Sequence, residues 1–145
     1  MKTKPPRTAP RVVIVDDHAI LRIGLTALLR QGNNFIVCGV AENAAAALQV
    51  IAKTGPALAI FDISLKGGVD GIELTKLVMK AHPTLRVLVL SLHDEPSYAR
   101  RALAAGACGY MNKGDAPNHI IKALHLILDG GTYLTADMRR HLDRK

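Results

Sequence analysis

No apolar run in this chain approaches the ~20 residues that a membrane-spanning helix needs. The opening stretch, residues 1–10, is basic and proline-rich with no hydrophobic segment, so it does not read as a secretory signal. Both absences point to a cytoplasmic protein. Cysteine is scarce too: Cys38 and Cys108 are the only two, and as ordinary reduced thiols they fit a reducing compartment. The chain shows no internal repeat and no low-complexity segment. Nor does its body carry an excess of either charge. The formal net charge is +7, yet residues 12–138 hold 11 basic and 11 acidic side chains. The excess lies in Lys2, Lys4, Arg7 and Arg11 at one end and Arg139, Arg140, Arg144 and Lys145 at the other, offset only by Asp143. The basic isoelectric point therefore says little about nucleic acid binding, and the ends read as flexible, solvated or linker sequence.

The 145 residues, 49% of them hydrophobic, are enough for one domain with a real core. Apolar runs of strand length occur at 12–16, 35–40, 57–62, 86–91 and 107–111. Helical patterns fill the intervals at 18–30, 43–53, 71–81, 96–105 and 116–128. Gly55-Pro56, His82-Pro83 and Gly130-Gly131 supply stop signals, and Asp115 is expected as an N-cap. Continuous apolar strands alternating with amphipathic helices imply a parallel sheet covered on both faces. Five such units are too few for an eight-stranded barrel. The expected fold is a flavodoxin-like, doubly wound (βα)5 sheet of strand order 2-1-3-4-5. Cys38 and Cys108 then fall on opposite edges, too far apart to be bridged. A short amphipathic stretch, 136–142, follows as an appendage or the start of a linker.

Open parallel sheets build their sites outside the carboxyl ends of the strands. There this chain places Asp16 and Asp17, then Asp62, then Ser91, then Lys113. Three converging carboxylates repel one another, and a divalent cation relieves that repulsion. Hard oxygen donors with room for water suit Mg2+. Asp16, Asp17, Asp62 and the backbone carbonyl of Ser64 are the expected ligands. With a phosphoryl group oriented there, Asp62 could attack phosphorus as a nucleophile while Ser91 and Lys113 pair with phosphoryl oxygens. No strong general base stands nearby, so transfer would rest on positioning and electrostatics.

The stretch Val12-Val-Ile-Val-Asp-Asp-His-Ala-Ile-Leu-Arg-Ile-Gly-Leu, together with Ser91-Leu-His-Asp-Glu and Ala104-Ala-Gly-Ala-Cys-Gly-Tyr-Met-Asn-Lys113, resembles the receiver domain of bacterial two-component response regulators. It is most similar to the LuxR/FixJ-type, NarL-like subgroup, over residues 11–133. The resemblance implies Asp62 as phosphoacceptor, Asp17 as a direct metal ligand, and Asp16 acting near the metal through water. It implies Ser91 as the switch hydroxyl and Lys113 as the phosphate-sensing lysine. Tyr110 matches an aromatic switch coupling the site to the face of the fourth helix, fifth strand and fifth helix. The implied partners are a sensor histidine kinase, a second copy of the chain on phosphorylation, and DNA through a helix-turn-helix output domain that this sequence lacks. On this view residues 1–10 are a tail, 11–131 the receiver and 132–145 the start of a linker or C-terminal helix. Three departures stand out. The 63–71 loop is one residue longer than in many members and lacks their proline, Gly114 stands where many have proline, and Asn112 replaces an apolar residue.

Singly, these residues have plainer explanations. Asp17 could be the N-cap of the first helix, Tyr110 a partly buried cover of the sheet edge, and His18 and His93 exposed bystanders. Arg100 and Arg101 read as a solvated face. His119 and His125 do not share a helical face, so no zinc set forms. Two other functions compete with the switch. A haloacid-dehalogenase-like phosphatase would need an acid two residues after its nucleophile, where this chain has Ser64. An unphosphorylated pseudo-receiver would act as an interaction module alone.

Overall fold

The run from Val12 to Val15 is wholly buried. A strand with both faces buried lies inside a sheet covered by helices on each side. The computed structural model, which describes residues 9–92 and 96–143, has that arrangement. Strands β1 (Arg11–Val15), β2 (Ile36–Ala41), β3 (Leu58–Asp62), β4 (Arg86–Ser91) and β5 (Gly109–Asn112) form one sheet in the order β2-β1-β3-β4-β5. All its pairings are parallel, as in the expected flavodoxin-like fold. Helices α1 (Ala19–Arg30), α2 (Ala44–Thr54), α3 (Gly71–Ala81), α4 (Pro96–Ala104) and α5 (Ala116–Leu128) connect or follow the strands, and α6 (Ala136–Asp143) comes last.

Side-chain alternation along the strands divides the core in two. Val13, Val15, Ala59, Phe61, Val87 and Val89 face α2, α3 and α4, packing with Ala47, Ile51, Leu74, Val78, Ala99 and Ala102. Val12, Ile14, Leu58, Ile60, Leu88 and Leu90 face α1 and α5, packing with Leu25, Leu29, Ile120, Leu124 and Ile127. A fully buried side chain such as Ile14 contributes roughly 1.5–3 kcal/mol by leaving water. The two layers hold the carboxyl ends of the strands as a rigid rim.

Local details differ from expectation at a few ends. Asp115 stands before α5 but makes no side-chain cap. A single 3-10 turn, Lys113–Asp115, runs directly into the helix, so Asp115 already has helical backbone and cannot reach back. Asn112 serves instead: its side chain accepts from the Gly114 amide at 2.8 Å. That bond gives the unusual polar residue a local task. The N-cap of α1 is His18, without a capping side chain, so Asp17 is not spent on the helix. Strand β5 begins at Gly109, leaving Cys108 just outside it, and Cys38 and Cys108 are both free thiols.

Beyond α5 the chain returns to the sheet. Tyr133 pairs with Gly109 on the outer side of β5, through Tyr110 N to Tyr133 O and Tyr133 N to Cys108 O, both 3.0 Å. Helix α6 then packs on α4, burying Met138 to 4% exposure in the core layer that contains Tyr110. The Arg100 guanidinium, expected to be merely solvated, donates to the His141 carbonyl at 2.9 Å. Among the described residues no helix is long and apolar enough to cross a membrane. His93, the ends 1–8 and 144–145 lie outside the described residues.

Candidate functional site

The sheet delivers five polar side chains to one rim. Asp16 and Asp17 directly follow β1, Asp62 and Ser91 are the last residues of β3 and β4, and Lys113 directly follows β5. In register, Asp62 stands beside Leu90 and Ser91 beside Asn112, so Ser91 lies one step further out along the rim. Asp16 is 2% exposed, Asp62 1% and Ser91 wholly buried. Lys113, at 7%, reaches between two carboxylates: its Nζ lies 3.0 Å from Asp62 Oδ2 and 3.3 Å from Asp16 Oδ2.

The backbone fixes Asp62 closely. Its Oδ1 accepts from the Ser64 amide at 3.1 Å. Gly71, the first residue of α3, sits so close that a Cβ there would meet the Asp62 carbonyl oxygen at 2.3 Å. The 63–71 loop closes with Gly71 N donating to Ile63 O at 3.0 Å, and Asp70 caps α3 by accepting from Glu73 N at 2.8 Å. Gly67 and Gly68 both have positive φ, 96° and 87°, which is how the longer loop turns without proline. Lys66 pairs by its backbone with Asn43, tying that loop to the start of α2. Between them lies a cleft of about 560 Å3, lined by Asp17, Glu42, Asn43, Lys66 and Val69 among others.

Electrostatically the site is short of positive charge. Burial pushes the Asp62 carboxyl above its ordinary range and Asp16 pushes it further, while the Ser64 amide and Lys113 pull it back. Asp17 Oδ1 and Asp62 Oδ2 are buried without a hydrogen bond. Each has a nitrogen 3.0 Å away, His18 Nδ1 and Lys113 Nζ respectively. Donor atoms of Asp16, Asp17, His18 and Asp62 all lie within 4.8 Å of one another. The acidic cluster Asp16, Asp17 and Asp62 could therefore bind a metal.

Two further expected positions take specific places. Ser64 is exposed, and the contact it makes with Asp62 is through its amide. Tyr110 is more deeply placed than a partial cover of the edge: its ring is buried in the layer with Ala99, Ala102 and Met138. Three residues had no assigned task in the sequence. His18, read as a bystander, has its Nδ1 at 3.1 Å from Asp16 Oδ1 and 3.0 Å from Asp17 Oδ1. Its adjacency to the Asp-Asp pair was the available signal. Arg22 donates to the Asp16 carbonyl at 2.6 Å, one helical turn beyond anything the strand pattern marks. Gly71 carried no signal beyond being a glycine at a helix start.

The family model for the response regulator receiver domain matches residues 12–125. The chain belongs to this family. Its relatives place this receiver among regulators of the LuxR/FixJ, NarL-like kind. It is 36% identical over 131 residues to the transcriptional activator protein ExaE of Pseudomonas putida, covering 90% of this chain and 61% of that protein. A two-component response regulator of the LuxR family from Aurantimonas sp. SI85-9A1 superposes with TM-score 0.85 at 30% identity, covering 91% of this chain and 94% of that one. The RcsB response regulator of Salmonella typhimurium, solved for its DNA interaction, gives TM-score 0.85 at 28% identity over 95% of this chain and 69% of that one. An RcsB structure of two dimers bound to two parallel DNAs gives 0.83 at 28%, over 94% and 69%. The receiver spans about three-fifths of the length of the curated relatives it matches. Its family is regulatory rather than catalytic.

Proposed function

We propose that this receiver is a phosphorylation-activated switch of a two-component phosphorelay, accepting a phosphoryl group on Asp62. The observation that carries the reading is the buried Asp62–Lys113 pair at 3.0 Å, facing the two further carboxylates of Asp16 and Asp17. In the transfer, an Asp62 carboxylate oxygen bonds to phosphorus as the bond from phosphorus to the donor breaks. From a histidine kinase the leaving group is the donor imidazole, which takes a proton from water. Lys113 is placed to pair with a phosphoryl oxygen once the group is bound, and Ser91 to donate its hydroxyl to another. Asp16, Asp17, Asp62 and the Ser64 carbonyl would hold Mg2+, which when bound neutralises charge on the phosphoryl oxygens. No general base is needed, because a carboxylate at neutral pH already has its lone pair free.

The added charge would draw Lys113 and Ser91 towards the phosphoryl oxygens, and Tyr110 would carry the change to the α4, β5 and α5 face. The expected consequences are dimerisation and control of a DNA-binding helix-turn-helix output domain outside this sequence, in the cytoplasm. The relation to a DNA-interacting regulator and to dimers on DNA supports that output. Intact mass after incubation with Mg2+ and acetyl phosphate tests the reading. One phosphoryl adduct on the wild type, absent from Asp62→Asn, supports it. No adduct on a folded, Mg2+-binding protein would favour an unphosphorylated interaction module.

A further inference from the structure

We propose that α6 is a latch released by phosphorylation. It is docked on α4 while Asp62 is unmodified, leaves when Asp62 carries a phosphoryl group, and by docking opposes that phosphorylation. The proposal rests on the reading above for the chemistry at Asp62, and adds control of that chemistry by a helix outside the site. The seat of α6 is built from specific contacts. Thr135 caps the helix, its Oγ1 accepting from the Met138 amide at 3.1 Å. Arg139 donates back to the Thr132 carbonyl at 3.0 Å. At the far end the Arg100 guanidinium of α4 donates to the His141 carbonyl at 2.9 Å, placing a cation on the last turn, where helix carbonyls lack partners. Between these ends Met138 is 4% exposed, and Leu134 packs against the same core layer.

This seat is weak enough to be given up. Helix α6 has 8 residues, short of the ~12–15 at which a helix begins to hold by itself in water, so it depends on what it packs against. Among its described side chains only Met138 is buried. A cleft of about 270 Å3 stays open between the helix and the start of α5, lined by Asp115, Thr135, Asp137, Met138 and His141. Two routes connect this seat to the phosphorylation site. Met138 shares its core layer with Tyr110, Ala99 and Ala102, so a shift of the Tyr110 ring or of α4 reshapes the socket that Met138 fills. Lys113 begins the 3-10 turn Lys113–Asp115, and Asp115 at the end of that turn lines the cleft under α6. Drawing Lys113 to a phosphoryl oxygen therefore displaces the floor on which α6 rests. A close-packed layer does not deform smoothly, so Met138 is either in its socket or out of it. The Tyr133 bonds to β5 come before the helix, so they can persist while α6 swings away from Leu134 and Thr135. Linkage makes the effect mutual: whatever factor phosphorylation takes from docking, docking takes from phosphorylation.

The test is hydrogen exchange of the full chain, read by mass spectrometry without and with Mg2+ and beryllofluoride, a stable phosphoryl mimic. Intact mass after acetyl phosphate accompanies it. In the wild type the mimic should lower α6 protection roughly fivefold or more while β1 and β3 keep theirs. Arg100→Ala removes the cap on His141 without touching the core, and should lower α6 protection roughly two- to tenfold with no mimic present. Met138→Ala should lower it about tenfold or more. Affinity for the mimic should rise from wild type to Arg100→Ala to Met138→Ala, by no more than the factor by which the mimic loosens α6 in the wild type. Unchanged α6 protection in a wild type that binds the mimic overturns the latch and leaves the phosphorylation reading standing. So does an unchanged affinity in variants whose α6 is loosened. If neither substitution loosens α6, the seat is wrong and the latch falls. Absence of an adduct on Asp62 from acetyl phosphate overturns the reading above and the latch with it.

Discussion

Replacing Gly71 by alanine adds one methyl group at the point where α3 touches the back of the phosphoacceptor. The new Cβ would lie 2.3 Å from the Asp62 carbonyl oxygen and 2.9 Å from both the Asp62 carbonyl carbon and Ile63 Cα. Real Cβ atoms are essentially never found within 3.0 Å of such neighbours, so helix and strand must part by at least 0.7 Å. Every obstacle is backbone, and no side chain can swing aside. Overpacking of this kind costs about 1–3 kcal/mol, against about 0.5–1 kcal/mol that alanine returns through lower chain entropy. The expected net loss is about 1–2 kcal/mol, a fall in Tm of about 2–8 °C for a domain of this size. Gly24 is the internal control, since it lies in α1 with nothing within 4 Å of its would-be Cβ. Gly24→Ala should raise stability by about 0.5–1 kcal/mol through helix propensity alone. Urea unfolding of both variants measures the contrast. The phosphorylation rate of Gly71→Ala should also drop about tenfold or more, because small displacements at a reacting group are expensive. Equal stabilisation by the two alanines would refute the tight-contact argument.

Other outcomes bear on single residues. Asp62→Asn should be more stable than the wild type at neutral pH without Mg2+, because burial holds the Asp62 carboxyl above its ordinary value of 3.8. The sign follows from the raised value: the favourable protonated state is fully populated below 3.8 and lost as pH rises through the folded-state pKa, so the two proteins should converge in acid. Unfolding curves at neutral and acid pH would show whether that convergence occurs. Lys113→Ala leaves Asp16 and Asp62 without their shared cation, and should cost about 3–5 kcal/mol, partly recovered by added Mg2+ in a thermal melt. Met138→Ala should cost about 2 kcal/mol and remove hydrogen-exchange protection from α6 while sparing β1 and β3. Uniform loss of protection across the sheet would contradict it.

The sheet order was legible because continuous apolar runs and helical stripes are local signals, and parallel topology leaves few ways to join them. The rim residues were legible for the same reason: a polar residue ending an apolar strand, as Asp62 and Ser91 do, marks its own position. The side-chain surroundings were not. His18 looked like a solvent-facing residue because nothing in its spacing says which way an N-cap ring turns. Asp115 carried the right chemistry for a cap, but the 3-10 turn before it had already taken up helical geometry. The task of Gly71 depends on a strand nine residues earlier, and the depth of Tyr110 on a helix that begins 26 residues later. Contacts of that kind are decided by tertiary packing.

An open sheet has two borders, and each is a row of unpaired amides and carbonyls able to recruit a foreign strand. On the β5 side Tyr133 supplies both the donor and the acceptor, and α6 lies beyond it against α4. That border is closed by the chain's own later residues, so the segment after α5 is part of the folding unit. Shortening the protein at residue 131 would remove Tyr133 and Met138 together, opening the β5 border to self-association and hollowing the layer around Tyr110 in one cut.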